Sequence, residues 1–231
     1  MKWMCMVLIW AASQHVVLAQ GTDFGQAASN PRAGVDRWED KILIELSNDT
    51  WLDVPSGVEL RPFSPGFNAY FFSDHSFGKS DFSFAWGFGV AVDNVHSNAA
   101  FAWQVGGEGQ VEEQGLFPFP DSYEYERNKF VSTFLELPLE LRYIQTDNKP
   151  FKVAIGFRLG YMVSNHQKLI DSEGKRKFYD FDGLNRFRYG LSARVGVGKV
   201  QVMAYYSLVP LLEAETDVVA ASVGLAFTPL R

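Results

Sequence analysis

The sequence predicts an all-β protein: an eight-stranded antiparallel up-and-down transmembrane β-barrel with short periplasmic turns and long extracellular loops. Three observations predict it. Bulky apolar residues alternate with small or polar ones through most of the chain after residue 40, the signature of strands with two unlike faces. The connections between these segments alternate short and long, and in a meander that puts all short turns at one end and all long loops at the other. The chain opens with an export signal, yet no later stretch approaches the roughly 20 apolar residues of a transmembrane helix.

Taken in order, Lys2 and the apolar run Trp3 to Ala12 read as the head of a signal peptide, with Val17-Leu18-Ala19 as its cleavage site. Residues 1–19 are therefore expected to leave, and with them Cys5, the only cysteine. Neither a disulfide framework nor a cysteine zinc site is expected in what remains. Residues 20–40, rich in Gly, Ala, Asn and Asp, read as a flexible lead-in, and residues 41–231 as the barrel.

The first two strands, over residues 41–52 and 67–75, alternate weakly. The third sets Phe82, Phe84, Trp86, Phe88, Val90 and Val92 against Ser83, Ala85, Gly87, Gly89 and Ala91. The fourth is the clearest, with Val131, Thr133, Leu135, Leu137, Leu139, Leu141 and Tyr143 on one face. Its other face holds Ser132, Phe134, Glu136, Pro138, Glu140 and Arg142. The fifth runs from Phe151 to Val163 and the sixth from Arg186 to Val197, each pairing a bulky face with a face of Gly, Ala, Ser, Lys and Arg. The last two cover 200–208 and 219–227. Short turns fall at 77–79, 146–149 and 198–199; long connections fall at 53–65, 95–129, 166–185 and 209–217. Pro138 has no amide to donate, so a bulge or a broken ladder bond is expected there.

Composition narrows the choice of solvent for each face. The net charge of −6 argues against nucleic acid, which needs a basic face. Twenty Phe accompany twenty Gly, as expected if large side chains face lipid and small ones leave room in a crowded lumen. A secreted lipocalin-like ligand-binding barrel is the alternative, with its apolar face turned inward. Tyr143, Tyr161, Tyr189, Tyr206, Trp51 and Trp86 are candidates for interfacial aromatic girdles.

The stretch Phe134-Leu135-Glu136-Leu137-Pro138-Leu139-Glu140-Leu141-Arg142-Tyr143, followed by a turn and Val153-Ala154-Ile155-Gly156-Phe157-Arg158-Leu159-Gly160-Tyr161, resembles the PorT-like outer-membrane barrel family. Gly66 to Tyr70 and Phe82 to Gly89 look like the same kind of small barrel, of OmpX or OmpA type. The resemblance covers roughly residues 41–227. It implies an integral outer-membrane protein and, from the family's founding member, an accessory link to type IX protein secretion.

Candidate functional residues fall in three groups. Glu136, Glu140, Arg142, Lys152, Arg158, Arg186, Arg188 and Arg194 share the expected lumen face, where eight strands leave just enough room for side chains to fill. They read as a salt-bridge network or, alternatively, as the lining of a small-solute porin. Phe117, Phe119, Tyr123 and Tyr125, beside several acids in the longest connection, read as a contact surface for a partner or as a loop packing over the barrel mouth. His96-Ser97-Asn98-Ala99 is similar to the His-x-Ser-Asn-Ala stretch of outer-membrane lipid A deacylases, but adjacent His and Ser point to opposite faces of a strand. The two Gly-containing acidic stretches at 171–174 and 180–183 lack a full calcium-loop spacing. The expectation is a non-enzymatic, monomeric outer-membrane barrel without catalytic residues, metal or cofactor. Its partners would be outer-membrane lipid and a surface or secretion-machinery protein.

Overall fold

A computed structural model describes residues 41–78, 80–104, 113–145, 151–213 and 217–229. The signal segment, the lead-in and the turn at 146–149 lie outside the described residues. The strands are β1 (Ile42–Leu52), β2 (Pro65–Ser76), β3 (Phe82–His96), β4 (Ala99–Gln104), β5 (Glu113–Pro118), β6 (Tyr125–Ile144), β7 (Phe151–Asp171), β8 (Gly174–Tyr179), β9 (Phe187–Val197), β10 (Val200–Pro210) and β11 (Val219–Phe227). Eight of them run in the order β6-β3-β2-β1-β11-β10-β9-β7, and a β6–β7 pairing shuts the ring. All pairings are antiparallel. Closure leaves no edge among the eight, the condition under which strands can cross lipid.

The period-two pattern becomes two unlike walls. Leu137 is 52% and Ile155 65% exposed, while Glu136 and Lys152, at the opposite parity of the same two strands, are each 2% exposed. The bulky face is therefore outside and the charged one inside, opposite to a lipocalin, and the soluble ligand-binding alternative falls with it. Gly89 shows why the inner face needs small residues: a Cβ there would strike the Ala69 carbonyl and the Tyr70 ring. Pro138 stays in register with Arg158 on β7. On the β3 side the ladder lapses between the Trp86–Leu139 and Gly89–Glu136 pairs and resumes in the same register. The missing amide breaks the ladder without a bulge.

Two features depart from the sequence reading. Trp51 is no girdle residue; it is 5% exposed, because it shares the inward parity of Leu43, Glu45, Ser47 and Asp49. Beyond the barrel the long connections carry structure of their own. β6 and β7 have 20 and 21 residues, about ten more than a membrane crossing needs. They continue past the ring as a twisted ribbon, which β8 widens to three strands, and β4 and β5 form a separate hairpin. Where the ribbon leaves the barrel, one extra residue of β7 is inserted: Phe134 pairs with Met162 but Thr133 pairs with Ser164. This bulge reverses the parity of β7, so that Asn165 and Gln167 face inward.

Candidate functional site: a filled lumen and an aromatic rim

Two ionic layers cross the lumen. In the upper one, Arg158 on β7 donates to both carboxylate oxygens of Glu45 on β1, Nη2 to Oε1 at 2.7 Å and Nη1 to Oε2 at 3.0 Å. Arg158 Nη1 also donates to Tyr70 Oη at 2.8 Å, and the Tyr70 hydroxyl donates to Glu136 Oε2 at 2.6 Å. Glu136 then accepts from Arg188 Nε at 2.9 Å and pairs with its Nη2 at 2.7 Å, and Arg188 Nη1 pairs with Asp93. One chain of charge-assisted bonds thus ties together β1, β7, β2, β6, β9 and β3. Asn68 adds a bond to Glu45 at 2.9 Å.

The lower layer centres on Glu140. Its Oε2 accepts from Arg194 Nη2 at 2.6 Å and from Arg142 Nε at 2.8 Å. Arg142 reaches Asp74 at 3.5 Å, and Arg194 Nη1 donates to Gln201 Oε1 at 3.0 Å. Aromatic faces complete the packing: the Arg142 guanidinium lies 4.2 Å from the Phe72 ring centroid, and that of Arg188 lies 3.5 Å from Phe134. Lys152 is buried in the same interior.

Seven of the eight charges expected in the lumen are buried there. Arg186 is the correction. It precedes β9, its side chain is exposed, and its carbonyl accepts the Met162 amide at 2.7 Å. Parity with Arg188 fails because residue 186 stands at the barrel mouth, beyond the wall that would enclose it. Sequence reasoning missed Glu45, Asp93, Asp74 and Tyr70. The signal for Glu45 was present: a lone carboxylate between the outward Ile44 and Leu46, at the parity of small and polar residues.

Above the ionic layers lies an apolar cap. Trp51, Phe101, Leu116, Phe130, Phe134 and Met162 pack with Leu184, Leu211, Leu212 and Val218 from the other long connections. Phe101 of β4 sits 4.6 Å from Phe130 and 5.7 Å from Trp51, centroid to centroid. Asn128 and Gln167, made inward-facing neighbours by the bulge, both donate to the Ala99 carbonyl, at 2.6 and 3.2 Å, and so anchor the hairpin. The void left between Arg188 and Trp51 is about 20 Å³, room for about one water molecule.

The loop residues divide between the cap and the rim. Leu116 enters the cap, while Phe117, Phe119, Tyr123 and Tyr125 stay half-buried at the rim. Phe119 lies 5.1 Å from Tyr123 and 5.2 Å from Tyr125, and the two tyrosines stack at 6.4 Å. Tyr123 donates to Asp171, which also pairs with Arg176, so this cluster is held in place from β7 and β8. The shared proton of Tyr123, then Arg176, holds the Asp171 carboxyl below the usual carboxylate range. Asp171 is thereby committed within the protein, and residues 171–174 form the β7–β8 turn, with Gly174 at φ +115°. The Ser97 hydroxyl is buried and donates to the Ala99 carbonyl at 3.3 Å, while His96 Nδ1 faces Ser64 Oγ at 3.4 Å. The two side chains do not face each other as nucleophile and base.

Among solved structures, the chain is similar to Ail, the attachment invasion locus protein of Yersinia pestis, with 13% identity and a TM-score of 0.32, covering 80% of this chain and 95% of that one. No curated protein matches the sequence. The profile of the outer membrane protein beta-barrel domain matches residues 45–213. That span includes seven of the eight barrel strands in whole or part, both ionic layers and most of the cap. The chain belongs to the outer membrane protein beta-barrel family, and its place is the outer membrane.

Proposed function

We propose that the protein is a sealed, non-enzymatic barrel that serves as a platform, presenting its long-loop end outside the cell to a protein partner. One observation carries the reading. The lumen is crossed by two ionic layers and covered by an apolar cap, and both oppose the passage of a solute. This disfavours the porin alternative. What the fold leaves available is the rim, where Phe117, Phe119, Tyr123 and Tyr125 offer a rigid, half-exposed aromatic surface beside Arg176. Aromatic clusters of this kind are typical anchors of protein interfaces. The PorT-like strand motif at 134–143 suggests a component of the protein-secretion machinery as that partner.

The test pairs two measurements. In planar bilayers the purified barrel should give no steady single-channel steps, and stable conductance would favour the porin. Cross-linking in native membranes should capture a partner with the wild-type chain and lose it with Phe119→Ala/Tyr123→Ala. Capture that is identical for both chains would count against the rim as the contact surface.

A further inference from the structure

The outer face of the β6–β7–β8 ribbon carries a feature that neither the barrel nor the rim uses. Three lysines stand in one cross-strand row: Lys129 of β6 pairs with Lys168 of β7, and Lys168 pairs with Lys177 of β8. The adjacent row adds Arg127 and Lys175 on either side of Ile170, and the row on the other side places His166 against Tyr179. The parity reversal at the β7 bulge is what turns His166, Lys168 and Ile170 to the same face as Lys129.

Like charges directly opposite one another destabilise a sheet. Among the described residues none of these five cations takes part in a salt bridge. Lys129 donates to the neutral Asn94 Oδ1 at 2.8 Å, and Lys177 lies 5.9 Å from the Tyr179 ring centroid. Asp171 and Glu173, the acids of the β7–β8 turn, both pair with Arg176, on the opposite face of the ribbon. Burial, and then Lys168, Arg127 and Lys177, pull Lys129 below its ordinary range; burial, Lys177, Lys129 and Lys168 do the same to His166. In a chain of net charge −6, a concentration of cations without an ion-pair partner among the described residues attracts anions.

Its height says which anion. Lys168 stands four residues beyond Ser164, roughly 13 Å along the strand, above the outward Tyr161 and Val163. Below the row, where β3, β6, β7 and β9 lie side by side, the outer wall holds a groove of about 600 Å³ whose lining includes Leu135, Leu137, Leu159, Tyr161, Phe187 and Tyr189. Cations above and an apolar groove beneath match an amphiphile with a negatively charged head. We propose that the Lys129–Lys168–Lys177 row binds the phosphate of a phosphorylated glycolipid headgroup of the outer leaflet, with an acyl chain lying in the groove. The inference shares with the proposed function only the outward orientation of the long-loop end.

The experiment measures binding of bis-phosphorylated lipid A to the detergent-purified full-length protein by native mass spectrometry at low salt. Wild type should retain the lipid. Lys129→Gln/Lys168→Gln/Lys177→Gln should bind on the order of a hundred-fold more weakly, and Lys168→Gln alone about five-fold. Lys199→Gln, at the short-turn end, should match wild type. The triple variant should keep its heat-modifiable gel band and unfold at a higher temperature than wild type in lipid-free detergent, because the repulsion is gone. The single variant carries the test if the triple variant fails to fold. Equal lipid binding by wild type and Lys168→Gln overturns the proposal. So does equal binding of phosphate-free lipid A, or displacement of the lipid by millimolar inorganic phosphate, which would make free phosphate the ligand. Orientation is checked separately by labelling Ser172→Cys on intact cells with an impermeant maleimide. Absent labelling there with intact binding in detergent would reject the platform topology and leave the anion site standing.

Discussion

Removing Glu45 tests the lumen network most severely. Both its oxygens are engaged, by Arg158 at 2.7 and 3.0 Å and by Asn68 at 2.9 Å, and it is 0% exposed. In Glu45→Ala, Arg158 keeps the Tyr70 hydroxyl but loses its bidentate carboxylate while still enclosed. Breaking a buried pair from one side costs roughly 3–5 kcal/mol, and the upper part of that range is expected here. Glu136→Ala should cost less, nearer 3 kcal/mol on the same scale, because Arg188 retains Asp93. The double variant Glu45→Met/Arg158→Met removes both charges and fills the space, so it should return to within about 1 kcal/mol of wild type. Urea titration of the folded, heat-modifiable band in detergent micelles measures all three. The reasoning is refuted if Glu45→Ala lies within about 1 kcal/mol of wild type, the range of a solvent-exposed pair, or if the double variant is no more stable than the single. Conductance of Glu136→Ala should stay at the wild-type level, since the cap and the lower layer remain.

Further outcomes follow from other parts of the molecule. Gly89→Ala should cost about 1–3 kcal/mol by overpacking in the same urea titration, because the new methyl meets the Ala69 backbone carbonyl. Trp51→Ala should cost about 3–5 kcal/mol and loosen the β4–β5 hairpin to protease, yet leave the barrel non-conducting, since the ionic layers lie below it. Acid should loosen the ribbon: His166 sits below its ordinary value of 6.5 in the folded state, so the unfolded chain takes up the proton first. Stability is complete above about 6.5 and is lost as pH falls toward the folded value. Hydrogen exchange of β8 amides should show this, and His166→Gln should flatten the profile. Ser97→Ala should leave lipid A acylation unchanged by mass spectrometry, since that hydroxyl is bonded to Ala99.

The barrel was legible because a strand in lipid repeats its demand every second residue. Leu135, Leu137, Leu139 and Leu141 must all meet lipid, and Glu136 and Glu140 between them must all meet the lumen. The hairpin of β4 and β5 was not legible. Its strands are short, one carries Gly115 and ends in Pro118, and they are held by the cap rather than by any pattern of their own. The bulge in β7 was equally invisible, since Val163 and Ser164 look like two ordinary residues. Its consequence is large: it decides that Lys168 faces out and Gln167 faces in.

The sequence by itself determined the number of barrel strands, their register parity and which wall faces lipid, because each of these is a local alternation of side-chain type. It also placed seven of the eight named charges inside. Only the tertiary structure decided who pairs with whom. Glu45 and Arg158 are 113 residues apart in the chain and 2.7 Å apart in space, and Lys129, Lys168 and Lys177 become one row only when three strands align. Alternation specifies a face, but a partner is specified by ring closure and by the packing of loops over the mouth. Those depend on all the strands at once.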